Sequence, residues 1–235
     1  MFRNTSYVAS AQHLRDLPPP SEPEIAFAGR SNAGKSSAIN ALANQTRLAF
    51  VSKTPGRTQQ INFFRLARGA FLVDLPGYGY ATAPKALREQ WEATLSTYLQ
   101  TRTSLRGLAL VMDARHPLTA RDELMLAWFK PTGRPIHVLL TKADKLSRTE
   151  AAKTLQRVRA RLAGFDIHWT AQLFSSLKRN GVDEAEAVFA AWLGVEVGPS
   201  LMLATAGRTS GHHRRSDGHK KAPGQRGKPG AKRLK

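Results

Sequence analysis

The sequence predicts an α/β fold, a mostly parallel, doubly wound sheet flanked by helices. Three observations predict it. Short apolar runs of strand length alternate with longer stretches whose apolar residues recur at helical spacing. The phosphate-binding spacing G-x-x-x-x-G-K-[ST] occupies Gly29-Arg30-Ser31-Asn32-Ala33-Gly34-Lys35-Ser36, between the first core strand and the first helix. Later apolar runs end in Asp74 and in Thr141-Lys142-Ala143-Asp144, which places polar groups at the carboxyl ends of strands, where such sheets bind ligands.

In chain order, Ser6-Tyr7-Val8-Ala9 is an expected edge strand, and Pro18-Pro19-Pro20 stiffens the approach to the first core strand, Glu24 to Ala28. The phosphate loop and a helix from Ser37 to Leu42 follow. Arg47 to Val51 reads as a strand, and Ser52 to Gln59 as a mobile loop broken by Pro55-Gly56. Ile61 to Ala67 and Phe71 to Asp74 read as a hairpin turning at Arg68-Gly69. Lys85 to Leu99 is an expected helix with Leu87, Trp91, Leu95 and Tyr98 on one face, where packing against the sheet is the simplest role for Trp91. Leu108 to Met112 and Ile136 to Leu140 are buried strands, separated by a helix from Arg121 to Lys130. Ser147 and Glu150 form a capping box before a helix that runs to Leu162. Gln172 to Phe174 is the last strand and Asp183 to Leu193 the last helix. The organisation is an N-terminal extension (1–22), a nucleotide-binding domain (23–196) and a basic tail (197–235).

The chain has 235 residues and a formal net charge of +19. Ten Lys/Arg and a single acid lie between Gly207 and Lys235, with six glycines and two prolines, a composition that cannot bury a core and is expected to be disordered. The remainder is also strongly basic, so polyanions, nucleic acid foremost, are the expected partners. The absence of cysteine excludes disulfides and thiolate metal sites and suits a reducing cytoplasm. The longest apolar run, Ala187 to Val195, is nine residues, far below the roughly 18 of a membrane helix. Met1 to Leu17 lacks a signal-peptide core.

The motifs carry specific chemistry. Gly29 and Gly34 let the backbone turn tightly and bring N–H groups close to phosphate. Lys35 is a point charge for the β- and γ-phosphates, the Ser36 hydroxyl is a Mg²⁺ ligand, and the helix N-terminus adds partial positive charge. Asp74 in Asp74-Leu75-Pro76-Gly77 is placed to act on Mg²⁺, directly or through water. Asp144 selects the base. Guanine offers N1–H and N2–H, and one carboxylate accepts both, whereas adenine would leave that carboxylate unpaired. The Lys142 stem can lie on the base while its ammonium reaches the phosphate loop. Phe174-Ser175-Ser176 ends the next strand, where a backbone N–H could meet guanine O6.

At these residues the chain resembles the EngB (YihA) GTP-binding proteins, within the TrmE–Era–EngA–YihA–septin group of P-loop GTPases. The resemblance rests on GRSNAGKSS from Gly29, SKTPGRTQ from Ser52, DLPGYGYA from Asp74, TKADKL from Thr141 and FSSLKRNG from Phe174, and spans Tyr7 to Leu193. It implies a Ras-like six-stranded sheet, binding of GTP or GDP with Mg²⁺, and a monomer acting in assembly of the large ribosomal subunit, with a link to cell division and septation. It implies nucleotide contacts by Gly29 to Ser36, Gly56-Arg57-Thr58-Gln59-Gln60, Asp74 to Gly77, Thr141 to Asp144 and Phe174 to Ser176. Ser36 and Thr58 are the implied Mg²⁺ ligands, and Lys35 and Thr58 the implied catalytic pair. Thr54 competes with Thr58 on sequence grounds, and the family's PGRTQ pattern favours Thr58.

Many GTPases place a water-orienting glutamine just after Asp-x-x-Gly. This chain has Tyr78 there, so slow turnover is expected, with Arg57 as a candidate charge donor. Asn32 resembles the asparagine that holds K⁺ in potassium-activated relatives, which makes K⁺ a further expected cofactor. The γ-phosphate and Mg²⁺ are expected to order Ser52 to Gln59 and the Gly77-Tyr78-Gly79 turn. A rival of a different class is an RNA-binding assembly protein with a nucleotide-occupied but catalytically weak site. A third, an ATP-dependent enzyme, conflicts with Asp144.

Overall fold

The structure is a computed structural model that describes residues 1–49, 60–78 and 85–195, with the backbone alone for 85–88. Seven strands form one sheet: β1 (Ser6–Ala11), β2 (Glu24–Gly29), β3 (Ile61–Arg65), β4 (Phe71–Asp74), β5 (Leu105–Asp113), β6 (Ile136–Thr141) and β7 (Trp169–Leu173). Among the described residues five α-helices flank it: α1 (Lys35–Ala43), α2 (Lys85–Thr101), α3 (Ala120–Phe129), α4 (Arg148–Leu162) and α5 (Val182–Trp192). The strand order is β1-β3-β4-β2-β5-β6-β7. β3 runs antiparallel to both β1 and β4, and every other pairing is parallel.

The central strands read as unbroken apolar runs because both faces are covered. In β2, Ala26 and Ala28 face one core and Ile25 and Phe27 the other, the period of two expected of a strand. Leu95, Tyr98 and Leu99 of α2, Met125, Leu126 and Phe129 of α3, and Val158 and Leu162 of α4 fill the first core. Ile39 and Leu42 of α1 and Phe189 of α5 fill the second. Both helices with capping boxes, α3 at Thr119/Asp122 and α4 at Ser147/Glu150, have their first turns fixed by side chains.

Two expectations are corrected. The sheet has seven strands rather than six, because β1 adds an antiparallel edge beside β3, with Ser10 Oγ donating to Asn62 Oδ1 at 2.6 Å. Arg47 to Ala49 is a series of bends and not a strand, while 50–51 lie outside the described residues. The cause is Asn40 of α1. Its amide accepts from Ala49 N–H at 2.7 Å and donates to Ala49 O at 2.9 Å, so those backbone groups are satisfied without a neighbouring strand.

Glu24, at the start of β2, is fully buried and ties the sheet to the end of α2. It accepts from Arg102 Nε at 2.9 Å, Tyr98 Oη at 2.8 Å and Ser104 Oγ at 2.8 Å. Burial and the Glu24 carboxylate push the Tyr98 phenol well above its ordinary value, which keeps it a donor.

His137 of β6 is buried in a second polar chain. Gln172 Nε2 donates to Gly181 O at 2.7 Å, which turns Oε1 toward His137 Nε2 at 2.8 Å. His137 Nε2 therefore carries the proton, and Nδ1 accepts from Thr170 Oγ1 at 2.6 Å. Burial lowers its pKa from 6.5 to about 4, against the opposing Gln172 hydrogen bond. The folded chain thus refuses a proton that the unfolded chain accepts. This contribution is fully present above pH 6.5 and is lost as pH falls toward 4. The loss reaches about 3 kcal/mol, and His137→Asn should flatten that part of a urea-denaturation pH profile. An unchanged profile would contradict the assignment.

Candidate nucleotide site

The strand order reverses around β2, which neighbours β4 on one side and β5 on the other, so a crevice opens at its carboxyl end. The loop Gly29 to Ser36 leaves β2 there and enters α1. A Cβ on Gly29 would lie 2.7 Å from Val111 O on β5, so only glycine lets the two strands approach. Gly34 has φ +97°, a left-handed conformation, as the residue before α1. Asn32, exposed at the loop's tip, also has positive φ, 62°.

The neighbouring strands deliver the remaining groups. Asp74 ends β4, is buried, and forms an ion pair with the Lys35 ammonium. Leu75 and Pro76 are buried and Gly77 half-buried. Ser36 lies half-buried in the first turn of α1. The Thr141 hydroxyl, at the end of β6, lies within hydrogen-bond reach of Ala33 O and, at 3.0 Å, Met112 O. The Lys142 ammonium donates to Asn32 O at 2.7 Å and sits 2.9 Å from Asp113 Oδ2, so this lysine bridges the phosphate loop and β5.

Asp144 follows in a short 3-10 turn from Ala143 to Lys145. Ser175 Oγ donates to Asp144 Oδ1 at 2.6 Å and itself accepts from Lys178 N–H at 3.1 Å. Ala143 N–H donates to Phe174 O at 3.2 Å, and Phe174 is fully buried, which anchors the two loops together. Gly34, Ser37, Thr141, Lys142, Asp144, Lys145, Ser176 and Leu177 line an open pocket of about 360 Å³. Its lining runs from the helix N-terminus to the Asp144 carboxylate.

Sequence reasoning missed three supports. Asp113 holds Lys142, and Arg115 holds Asp113 through Nε at 2.9 Å. Burial alone would raise the Asp113 pKa, but the hydrogen bonds from Arg115 and Lys142 outweigh it and hold the carboxyl well below the usual range. Its place at the end of β5, in register with Thr141, is the signal that could have found it. Ser175 orients Asp144, a role hidden within Phe174-Ser175-Ser176. The Ser175 N–H donates to Asn180 O at 3.0 Å and is not free for a base. Asp122 receives the Tyr78 hydroxyl at 2.9 Å, and nothing in the local sequence links the two.

Gln60 is exposed, while Gly56, Arg57, Thr58, Gln59 and Gly79 lie outside the described residues, as does the tail from 196. Among the described residues, no group of three His, Cys, Asp or Glu could hold a metal. A Mg²⁺ ion here would need phosphate oxygens and water to complete its shell around Ser36 and Asp74. The buried Asp74 carboxylate, paired with Lys35 beside the first turn of α1, fits that requirement.

Comparison with known proteins gives concordant findings. The family model described as 50S ribosome-binding GTPase matches residues 24–142. A probable GTP-binding protein EngB of Aromatoleum aromaticum is 62% identical over 195 residues, covering 83% of this chain and 90% of that protein. One of Methylobacillus flagellatus is 60% identical over 193 residues, covering 82% and 93%. The crystal structure of a probable GTP-binding protein engB superposes with a TM-score of 0.58 at 20% identity, over 73% of this chain and 98% of the other. The structure of Era with MgGDPNP and nucleotides 1506–1542 of 16S ribosomal RNA gives 0.58 at 20% identity, over 76% and 59%. These structural likenesses speak to the fold.

Proposed function

This chain belongs to the EngB family of P-loop GTPases, and we propose that it is a guanine-nucleotide switch that hydrolyses GTP slowly and acts on the large ribosomal subunit or its precursor. The observation that carries the reading is the Asp144 carboxylate, oriented by Ser175 at 2.6 Å in an open pocket that also reaches the phosphate loop.

In the proposed binding mode, the N–H groups of Asn32, Gly34, Lys35 and Ser36 and the α1 N-terminus surround the phosphates, while the Ala33 N–H donates to Arg30 O at 3.0 Å. Lys35 turns from Asp74 onto the β- and γ-phosphates. Asp144 accepts guanine N1–H and N2–H, the Lys142 stem covers one face of the base, and Ser176 N–H meets O6. Ser36 and Thr58, with Asp74 directly or through water, would hold Mg²⁺, which would supply charge neutralisation to the phosphates. The half-buried Lys142 ammonium needs no movement, since it already rests on Asn32 O and Asp113.

Charge supports an RNA partner. Among the described helices, α4 carries exposed Lys153 and Arg157 one turn apart, while α5 opens with Asp183 and Glu184. With a net charge of +19, association with ribosomal RNA should weaken steeply as salt rises. The family model's description as a 50S ribosome-binding GTPase favours the large subunit. Among the described residues no helix is long and apolar enough to cross a membrane. We place the protein in the cytoplasm as a monomer, with any septation defect following from failed subunit assembly.

The test is co-sedimentation with ribosomal subunits in GDP or a hydrolysis-resistant GTP analogue. Analogue-dependent pelleting with the large subunit or its precursor is expected. Equal pelleting in both states would refute a switch. The second reading, an RNA-binding assembly protein with a catalytically weak site, is favoured by the Tyr78 side chain being engaged by Asp122. Multiple-turnover phosphate release with the precursor present separates the two, and faster release in K⁺ than in Na⁺ would assign Asn32 its proposed role.

A further inference from the structure

Tyr78 stands at the position where other GTPases orient water, and its side chain is committed elsewhere. It is 8% exposed, and its hydroxyl donates to Asp122 Oδ1 at 2.9 Å. Its backbone is committed too. Tyr78 forms a parallel bridge with Arg30, donating its N–H to Gly29 O at 3.3 Å and accepting from Ser31 N–H at 2.9 Å. Asp122 is fully buried in the first turn of α3. Its second oxygen accepts from Thr119 N–H at 2.9 Å and lies 3.9 Å from Arg30 Nε. One carboxylate therefore gathers the phosphate loop, the residue after Asp74-Leu75-Pro76-Gly77 and the cap of α3.

We propose that Asp122 is a positioning residue that acts through Tyr78, locking the peptide after Gly77 onto the outer edge of the phosphate loop, and that the locked arrangement favours GDP over GTP. The proposal rests on the GTPase reading and adds to it what sets the balance between the two nucleotides. GDP asks nothing of residue 78. A γ-phosphate draws on the amides that follow Asp74, and to supply them the chain must leave its ladder with Gly29 and Ser31. A ligand shifts such an equilibrium only by its differential affinity for the two states, so the lock weakens GTP binding alone. Burial and the Asp122 carboxylate also raise the Tyr78 pKa well above its ordinary value, which fixes the phenol as a donor and removes it as a proton acceptor.

The contact is a hydrogen bond to a buried carboxylate, and losing it should change the ratio of affinities about tenfold. The experiment measures equilibrium binding of GDP and of a hydrolysis-resistant GTP analogue to the full chain and to Tyr78→Phe, Asp122→Asn and the double variant. Tyr78→Phe, which keeps the ring and the α3 cap, should tighten the analogue about tenfold and leave GDP unchanged. Asp122→Asn should shift the ratio the same way by less, since a neutral hydrogen bond survives, and the double variant should not exceed Tyr78→Phe. An unchanged ratio in Tyr78→Phe overturns the proposal, as does an equal fall in both affinities, the mark of a packing role alone. A wild-type chain that binds neither nucleotide overturns the GTPase reading and this proposal with it. Wild-type binding with no shift on substitution overturns the proposal alone.

Discussion

Replacing Asp144 by Asn should cost roughly 10⁴-fold in affinity for guanine nucleotides and transfer the preference to xanthine nucleotides. In the proposed binding mode the carboxylate accepts two donors from guanine. An asparagine keeps one acceptor and presents an NH₂ to the guanine amino group, so two donors face each other in a confined site. Xanthine carries a carbonyl at that carbon, which the new NH₂ can meet. The surroundings make the substitution clean. Ser175 Oγ donates to Asp144 Oδ1 at 2.6 Å, and it would donate equally to an amide oxygen, holding the side chain in the same orientation. Calorimetric titration with guanosine and xanthosine diphosphates reads both halves of the exchange. Undiminished guanosine affinity in the variant would remove Asp144 from base recognition.

The second large effect concerns the fold. Glu24→Ala should destabilise the chain by about 3–5 kcal/mol, because Arg102 is left as a buried cation without its carboxylate. Tyr98 and Ser104 lose their acceptor at the same time. Among the described residues, Arg102 retains only its 2.8 Å bond to Pro18 O and its place 5.8 Å from the centre of the Phe63 ring. The Glu24 cluster lies at the amino end of β2, opposite the phosphate loop. Urea denaturation should therefore show the loss with GDP absent or saturating, the bound nucleotide shifting both proteins alike. A change under 1 kcal/mol would mean that water or a neighbour replaces the carboxylate.

Much of the candidate site was legible in the sequence because the chemistry it proposes is local. The loop needs Gly29, Gly34, Lys35 and Ser36 at fixed spacing, and Asp74, Thr141 and Asp144 stand where buried apolar strands run out. The helix after Ser147 was equally readable from its capping box, and the last helix, expected from Asp183 to Leu193, is α5. What escaped was set by distant contacts. Arg47 to Val51 has strand composition, yet the Asn40 amide takes both backbone groups of Ala49, and Arg47 to Ala49 bend beside α1. The edge strand β1 was visible as a short run, but its pairing with β3 was not. Asp113 with Lys142, Ser175 with Asp144 and Asp122 with Tyr78 meet only because parallel strands bring their carboxyl ends together. Spacing along the chain carries no trace of such pairs.

The most direct measurement is a competition assay on the wild-type chain with Mg²⁺, in which unlabelled GTP, GDP and ATP displace a labelled guanine nucleotide. Displacement by GTP and GDP, with ATP failing even at a thousandfold excess or so, is the predicted result for a site built on the Asp144 carboxylate. Displacement by ATP at concentrations near those of GTP would contradict it.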